Sequence, residues 1–159
     1  MRILFVCLGN ICRSPTVEAV ARTLAVREAP QLQLEFDSAG TGGYHIGDPP
    51  DPRSQRAALA RGYDLSTLRA RQLQVEDFRH FDLLLAMDED NLDAMRTLAP
   101  TGLSSRAQLF LSYARPPLPR NVPDPYQGGP ADFDTVLDLA EHGVRELFVA
   151  LAARAAERR

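Results

Sequence analysis

Four apolar residues, Ile3-Leu4-Phe5-Val6, run straight into Cys7-Leu8-Gly9-Asn10-Ile11-Cys12-Arg13-Ser14, and Pro15 follows. A short, unbroken apolar run of this kind reads as a strand buried on both faces, the position of a strand in a parallel sheet. Ser14 and Pro15 read as a helix N-cap and the first helical residue. Gly9 and Asn10 tolerate the unusual backbone angles that a tight curl between the two elements needs. Strand, short loop and helix in that order open an α/β layer structure.

The rest of the chain repeats the alternation. Apolar runs at 32–36, 81–86 and 107–111 read as three further strands. Between them, Val17, Val20, Ala21, Leu24 and Ala25 keep the i, i+3, i+4, i+7, i+8 spacing of one buried helix face. Leu92, Met95 and Leu98 repeat it more weakly. Near the C-terminus Phe133, Val136, Leu137, Ala140, Val144, Leu147, Phe148 and Leu151 form one stripe over five turns. These stripes predict core packing in a single α/β domain, residues 1–159, around a mostly parallel sheet. No internal repeat or linker interrupts it.

Cys7 and Arg13 stand six positions apart at the end of the first strand, where open α/β sheets bind ligands. A loop this short can curl around one tetrahedral anion, aiming backbone N–H groups inward while Arg13 offers a planar fork to two oxygens. The N-terminus of the following helix adds positive potential at the same point. Cys7 then lies beneath the phosphorus in the kind of electropositive pocket that suits a nucleophilic sulfur. Spacing alone discriminates little, because the chain holds 18 arginines (and no lysine) among 159 residues. A buried core thiol is the competing reading for Cys7; the strand, loop and helix around it favour the phosphate loop.

Cleaving a phosphate ester also needs an acid to protonate the leaving oxygen. Two turn-rich loops, 39–52 and 112–130, can close over the same sheet edge, and the second carries five prolines between Pro116 and Pro125. Asp124, in Pro123-Asp124-Pro125-Tyr126, is the only acidic residue of that loop and the candidate acid. Asp51 before Pro52 reads as a helix N-cap and Asp48 as a turn residue. Asp88-Glu89-Asp90 reads as the acidic first turn of a helix. His45, His80 and His142 have no metal-site spacing. His45, beside Tyr44, is a candidate for the cleft wall, and His142 for a surface position.

A net charge of −3 argues against a general nucleic-acid binder. No apolar stretch reaches the ~18 residues of a membrane span, and the apolar run at 3–6 is too short for a signal-peptide core. Two cysteines with four residues between them make no disulfide scaffold. A cytoplasmic enzyme with reduced thiols, bound to neither membrane nor nucleic acid and working as a monomer, is the expectation.

Taken together, the motifs closely resemble the low-molecular-weight protein-tyrosine-phosphatases over essentially the whole chain. They are Val6 to Pro15, Glu18-Ala19, Asp37-Ser38-Ala39-Gly40-Thr41, Tyr44-His45-x-Gly47, Pro50-Asp51-x-Arg53, Ala70-Arg71-Gln72, Phe81-Asp82 leading to Ala86-Met87-Asp88, and Asp124-Pro125-Tyr126. Larger tyrosine phosphatases share the Cys-to-Arg spacing but usually carry His before the Cys, where this chain has Val6. The resemblance implies a four-stranded parallel sheet flanked by helices on both faces, with the phosphate loop after strand 1. It implies a metal-free, cofactor-free reaction on phosphotyrosine-containing proteins through a cysteinyl-phosphate, with Cys7, Arg13 and Asp124 catalytic. Residues Leu8 to Ser14 (Leu8, Gly9, Asn10, Ile11, Cys12, Arg13, Ser14) hold the phosphate, and Leu8, Ile11, Tyr44 and Tyr126 line a slot for the phenyl ring. Ser14 donates a hydrogen bond to the sulfur, and Asn10 holds the loop's turn. Cys12 is a packing residue or a resolving thiol that captures oxidised Cys7.

Three rivals share or mimic this scaffold. A thiol-coupled arsenate reductase needs further relay cysteines, and the chain has only Cys7 and Cys12. Related protein-arginine phosphatases have threonine where Ile11 stands. A silent phosphopeptide-binding module would be expected to lose Cys7 or Asp124, and both are present. Some relatives carry a tandem tyrosine after Asp-Pro; here Tyr126 precedes Gln127.

Overall fold

Ile3 to Val6 have no solvent exposure, because the strand they form is covered on both faces. A computed structural model describes residues 1–116 and 118–158; Pro117, in the predicted 112–130 loop, lies outside the described residues. In it, β1 (Arg2–Cys7), β2 (Glu35–Gly40), β3 (Leu83–Ala86) and β4 (Ala107–Leu109) form one all-parallel sheet in the order β2-β1-β3-β4. The central β1 pairs Cys7 with Gly40 on one side and Val6 with Ala86 on the other. Three strand ends thus converge beside the loop that follows Cys7.

Side-chain alternation along β1 divides the core into two layers. Ile3, Phe5 and Cys7 join one hydrophobic cluster with α1 (Arg13–Glu28) and α5 (Pro130–Glu157). Leu4 and Val6 join the other, with Phe78 from α3 (Asp77–His80) and Leu92 and Met95 from α4 (Glu89–Leu98). Helices therefore cover both faces. The predicted stripes on α1 and α5 are buried throughout. Leu98 is not: it sits in the last turn of α4, 38 % exposed.

Three strands shift their bounds by two residues or more. The predicted 32–36 strand begins at Glu35, because Pro30–Leu32 close a 3₁₀ turn that ends with Gln33 in the left-handed region at φ 51°. It runs on through polar Asp37 and Ser38 to Gly40, since an edge strand next to a functional loop is not uniformly apolar. The 81–86 strand begins at Leu83, Asp82 having turned its carboxylate to accept from the Arg2 backbone N–H. The 107–111 strand stops at Leu109, where Phe110–Tyr113 turn into a 3₁₀ segment that keeps Phe110 buried beneath α5.

The start of α1 also differs. Helix geometry begins at Arg13, so Cys12 occupies the N-cap position, Pro15 is the third helical residue, and Ser14 caps nothing. Ser14 is instead fully buried with its hydroxyl turned towards Cys7. By contrast Asp51 caps α2 (Pro52–Leu59), accepting from the Arg53 N–H at 2.8 Å.

Candidate active site

The loop after β1 is shaped by what its carbonyls bond. The carbonyls of Cys7, Leu8 and Ile11 accept from the N–H groups of Thr41, Gly42 and Asp51 at 2.8–2.9 Å. With those oxygens turned outward, the N–H groups of Leu8, Gly9, Ile11 and Cys12 have no protein acceptor among the described residues. They form the unpaired donor set an anion needs. The reversal of the chain falls on Asn10, at φ 57°. Gly9 keeps ordinary angles; a Cβ there would press on the His45 ring at 3.2 Å. Gly40 is required for a similar reason, since a Cβ on it would lie 2.6 Å from the Leu8 carbonyl oxygen.

Cys7 lies at the base of the loop, 3 % exposed. Its Sγ is 3.0 Å from the Ser14 hydroxyl and accepts from the Asn10 backbone N–H at 3.2 Å. The Asn10 side-chain amide donates to Ser14 Oγ at 2.8 Å and to Ser38 Oγ at 2.9 Å, and its oxygen accepts from the Arg71 backbone N–H at 3.0 Å. Three hydrogen bonds thus hold one side chain and, through it, the left-handed turn.

Arg13 is equally buried. Its Nη1 donates to Asp88 at 2.6 Å and to the Val122 carbonyl at 3.0 Å, while Nη2 stands 3.8 Å from the Asp124 carboxylate. Burial by itself would lower the Arg13 guanidinium; the Cys7 sulfur and the Asp88 and Asp124 carboxylates outweigh it and raise it above the ordinary arginine value. Asp88, read from sequence as part of an acidic first turn, has two tasks. It caps α4 through the Asn91 N–H at 2.7 Å and anchors Arg13 with its other oxygen. Only the first is visible locally in the sequence, because the second joins residues 75 positions apart.

Asp124 reaches the site because Val122, two residues earlier, ties its loop to the end of β3 by donating its N–H to the Met87 carbonyl at 2.8 Å. One Asp124 oxygen accepts from the Tyr126 N–H, which leaves the other facing Arg13. Tyr126 is set by Arg53, which donates to its carbonyl at 2.8 Å and lies 5.5 Å from its ring centre. Asp51 in turn holds Arg53 at 2.9 Å.

These groups surround a cleft of about 190 Å³ whose wall includes Cys7, Ile11, Arg13, Tyr44, Asp124 and Tyr126. Leu8 also lines it, 45 % exposed at the rim, and so does His45, whose Nδ1 is 3.3 Å from Asp48. His80 and His142 do not. Cys12 lies on the wall too; burial pushes its thiol up to about 12, partly offset by a hydrogen bond with Ser54. Among the described residues no cluster of three or more His, Cys, Asp or Glu side chains is placed to hold a metal ion. Among the described residues no helix is long and apolar enough to cross a membrane either. The site offers a sulfur nucleophile, a fixed cation, free amides and a carboxylate around one anion-sized space: the parts of a phosphoryl-transfer centre.

Comparison with known proteins agrees with that chemistry. The family model described as low molecular weight phosphotyrosine protein phosphatase matches residues 2–157. The low molecular weight protein-tyrosine-phosphatase YfkJ of Bacillus subtilis is 38 % identical over 149 residues, covering 94 % of each chain. The low molecular weight phosphotyrosine protein phosphatase of Homo sapiens is 42 % identical over 135 residues, 84 % of this chain and 85 % of the human one. A crystal structure of a protein tyrosine phosphatase from Entamoeba histolytica superposes with a TM-score of 0.92 at 34 % identity, covering 98 % and 99 % of the two chains.

Proposed function

Because this chain belongs to the low-molecular-weight phosphotyrosine protein phosphatase family, we propose that it hydrolyses phosphotyrosine in proteins through a cysteinyl-phosphate. Cys7 Sγ attacks phosphorus in line, forming an S–P bond as the P–O bond to the phenol breaks, and Asp124 gives its proton to the departing oxygen. Asp124, now ionised, takes a proton from a water that attacks phosphorus and releases inorganic phosphate and the Cys7 sulfur. Arg13 and the loop amides bind the equatorial oxygens, whose charge they stabilise through both steps. Leu8, Ile11, Tyr44 and Tyr126 form the walls against which a flat phenyl ring lies. The depth of Cys7 below that rim favours phosphotyrosine over the shorter phosphoserine. The enzyme acts as a cytoplasmic monomer and needs no metal.

One observation carries the reading: a buried sulfur holding two hydrogen-bond contacts faces, within one small cleft, a buried arginine and a carboxylate on a separate loop. The test is hydrolysis measured side by side on phosphotyrosine, phosphoserine and phosphoarginine peptides, with and without chelator, in wild type and Cys7→Ser. We expect turnover of phosphotyrosine alone, untouched by chelator and abolished in Cys7→Ser with vanadate still bound. Preference for phosphoarginine, a strict metal requirement or substantial activity in Cys7→Ser would each overturn it.

A further inference from the structure

Glu18 lines no part of the cleft, yet it ends a chain of hydrogen bonds that begins at the nucleophile. The direction of every bond in that chain follows from one group that can only donate. The Arg71 backbone N–H meets the Asn10 side chain at 3.0 Å, so the atom it meets is the amide oxygen. The NH₂ end of Asn10 must then face Ser14 and Ser38, and both its hydrogens are used, at 2.8 and 2.9 Å. Each serine oxygen is therefore an acceptor from Asn10 and must send its single proton elsewhere. Ser14 sends its proton to Cys7 Sγ at 3.0 Å, and Ser38 sends its proton to Glu18 Oε1 at 2.6 Å.

We propose that Glu18 is a positioning residue for Cys7, acting through Ser38, Asn10 and Ser14. Asn10, Ser14, Ser38 and Glu18 are all at least 95 % buried, so water cannot replace a lost partner. Without an acceptor at Glu18 Oε1, the Ser38 proton turns back against the Asn10 NH₂ group. That weakens the bond which orients Asn10 and, with it, the donors at Cys7. A carboxylate suits the position, because its other oxygen lies 2.7 Å from the cationic Arg22 Nη2 in an ion pair, while that nitrogen donates its hydrogen bond to the Phe36 carbonyl. A glutamine of the same size must present its NH₂ either to Arg22 or to Ser38. The charge on Arg22 claims the oxygen, and Ser38 loses its acceptor. Burial pushes the Glu18 carboxyl up, the Ser38 bond and Arg22 lower it in part, and nearby Asp37 raises it further. The position thus holds a carboxylate that burial disfavours, which simple packing would not need.

The inference rests on Cys7 being the nucleophile, but its test reads the sulfur directly and needs no turnover. Glu18→Gln, Ser38→Ala and the double variant are compared with wild type at fixed neutral pH by ultraviolet thiolate absorbance and by the rate of Cys7 alkylation with iodoacetamide. Thermal melting confirms that each variant is folded. Glu18→Gln and Ser38→Ala should each slow alkylation by roughly three- to tenfold, the worth of one net hydrogen bond, with a matching loss of thiolate absorbance. The double variant should be no worse than Ser38→Ala. Wild-type alkylation in folded Glu18→Gln overturns the proposal, since an isosteric change leaves packing intact. Wild-type alkylation in Ser38→Ala, or additive losses in the double variant, overturns it as well. Normal phosphatase activity with altered alkylation leaves the proposal standing; altered alkylation without any wild-type turnover refutes only the phosphatase reading.

Discussion

Replacing Asp88 separates two roles that one side chain fills. Its Oδ1 caps α4 through the Asn91 N–H, and its Oδ2 anchors Arg13 Nη1 at 2.6 Å. Arg13 is 3 % exposed and the Asp88 side chain 24 %, so solvent screens the pair only slightly. A hydrogen bond between charged groups contributes about 1.5–3 kcal/mol, and one to a neutral acceptor roughly half of that. Asparagine caps a helix as well as aspartate and still offers Arg13 a neutral oxygen. Asp88→Asn should therefore leave α4 intact and cost Arg13 about 1 kcal/mol of anchoring, a roughly fivefold loss of phosphate affinity. Asp88→Ala loses the whole anchor, roughly thirtyfold in affinity, and about 1 kcal/mol of stability through the cap. Competitive inhibition by inorganic phosphate reads the first effect and urea unfolding the second. Tighter phosphate binding in Asp88→Asn would show that Asp88 acts by neutralising the Arg13 charge, not by orienting it. Identical behaviour of the two variants in both assays would refute the division of labour.

Asp124→Ala should lower kcat about 10²–10⁴-fold on phosphotyrosine but much less on an aryl phosphate with an acidic phenol, which leaves unaided; equal losses on both substrates would mean that another group is the acid. Cys12, proposed to capture oxidised Cys7, is a neutral thiol at physiological pH because burial pushes it up to about 12. Peroxide inactivation should therefore reverse fully with dithiol in wild type and poorly in Cys12→Ser, with disulfide capture quickening as pH rises; equal recovery would reduce Cys12 to packing. The Glu18 carboxyl is raised in the folded protein from an ordinary 4.5, so the folded state binds more protons than the unfolded one between those two values. Its contribution to stability is present below 4.5 and lost as pH rises through the raised value, and urea midpoints for wild type minus Glu18→Gln should fall across that window and level off above it; a flat difference would contradict the shift.

The opening strand, loop and helix were legible in the sequence because their signals are local. Four consecutive apolar residues demand cover on both faces, and Asn10 stands where a left-handed turn is needed. The α1 and α5 stripes were legible for the same reason: helical period and burial coincide over many turns. Boundaries were less so at β2, which a 3₁₀ turn precedes, and at β4, where the chain leaves its strand for a 3₁₀ segment without losing apolar character, as Phe110 illustrates. Ser14 misled because a serine before proline carries a local capping preference, and here the tertiary demand of the Cys7 sulfur and the Asn10 amide overrides it. Which long-range groups meet was decided only by the folded chain. Asp88 comes to Arg13 from the start of α4 and Val122 from the long loop before α5, and Ser38 and Arg71 come to Asn10 from another strand and another loop. Sequence periodicity carries the direction a side chain faces relative to its own element; the parallel register that puts Cys7 beside Gly40 and Val6 beside Ala86 sets which elements it faces. Residue types and their local order therefore determined that a tight cysteine-centred loop would form after the first strand, while the packing of the sheet determined which buried partners surround its sulfur.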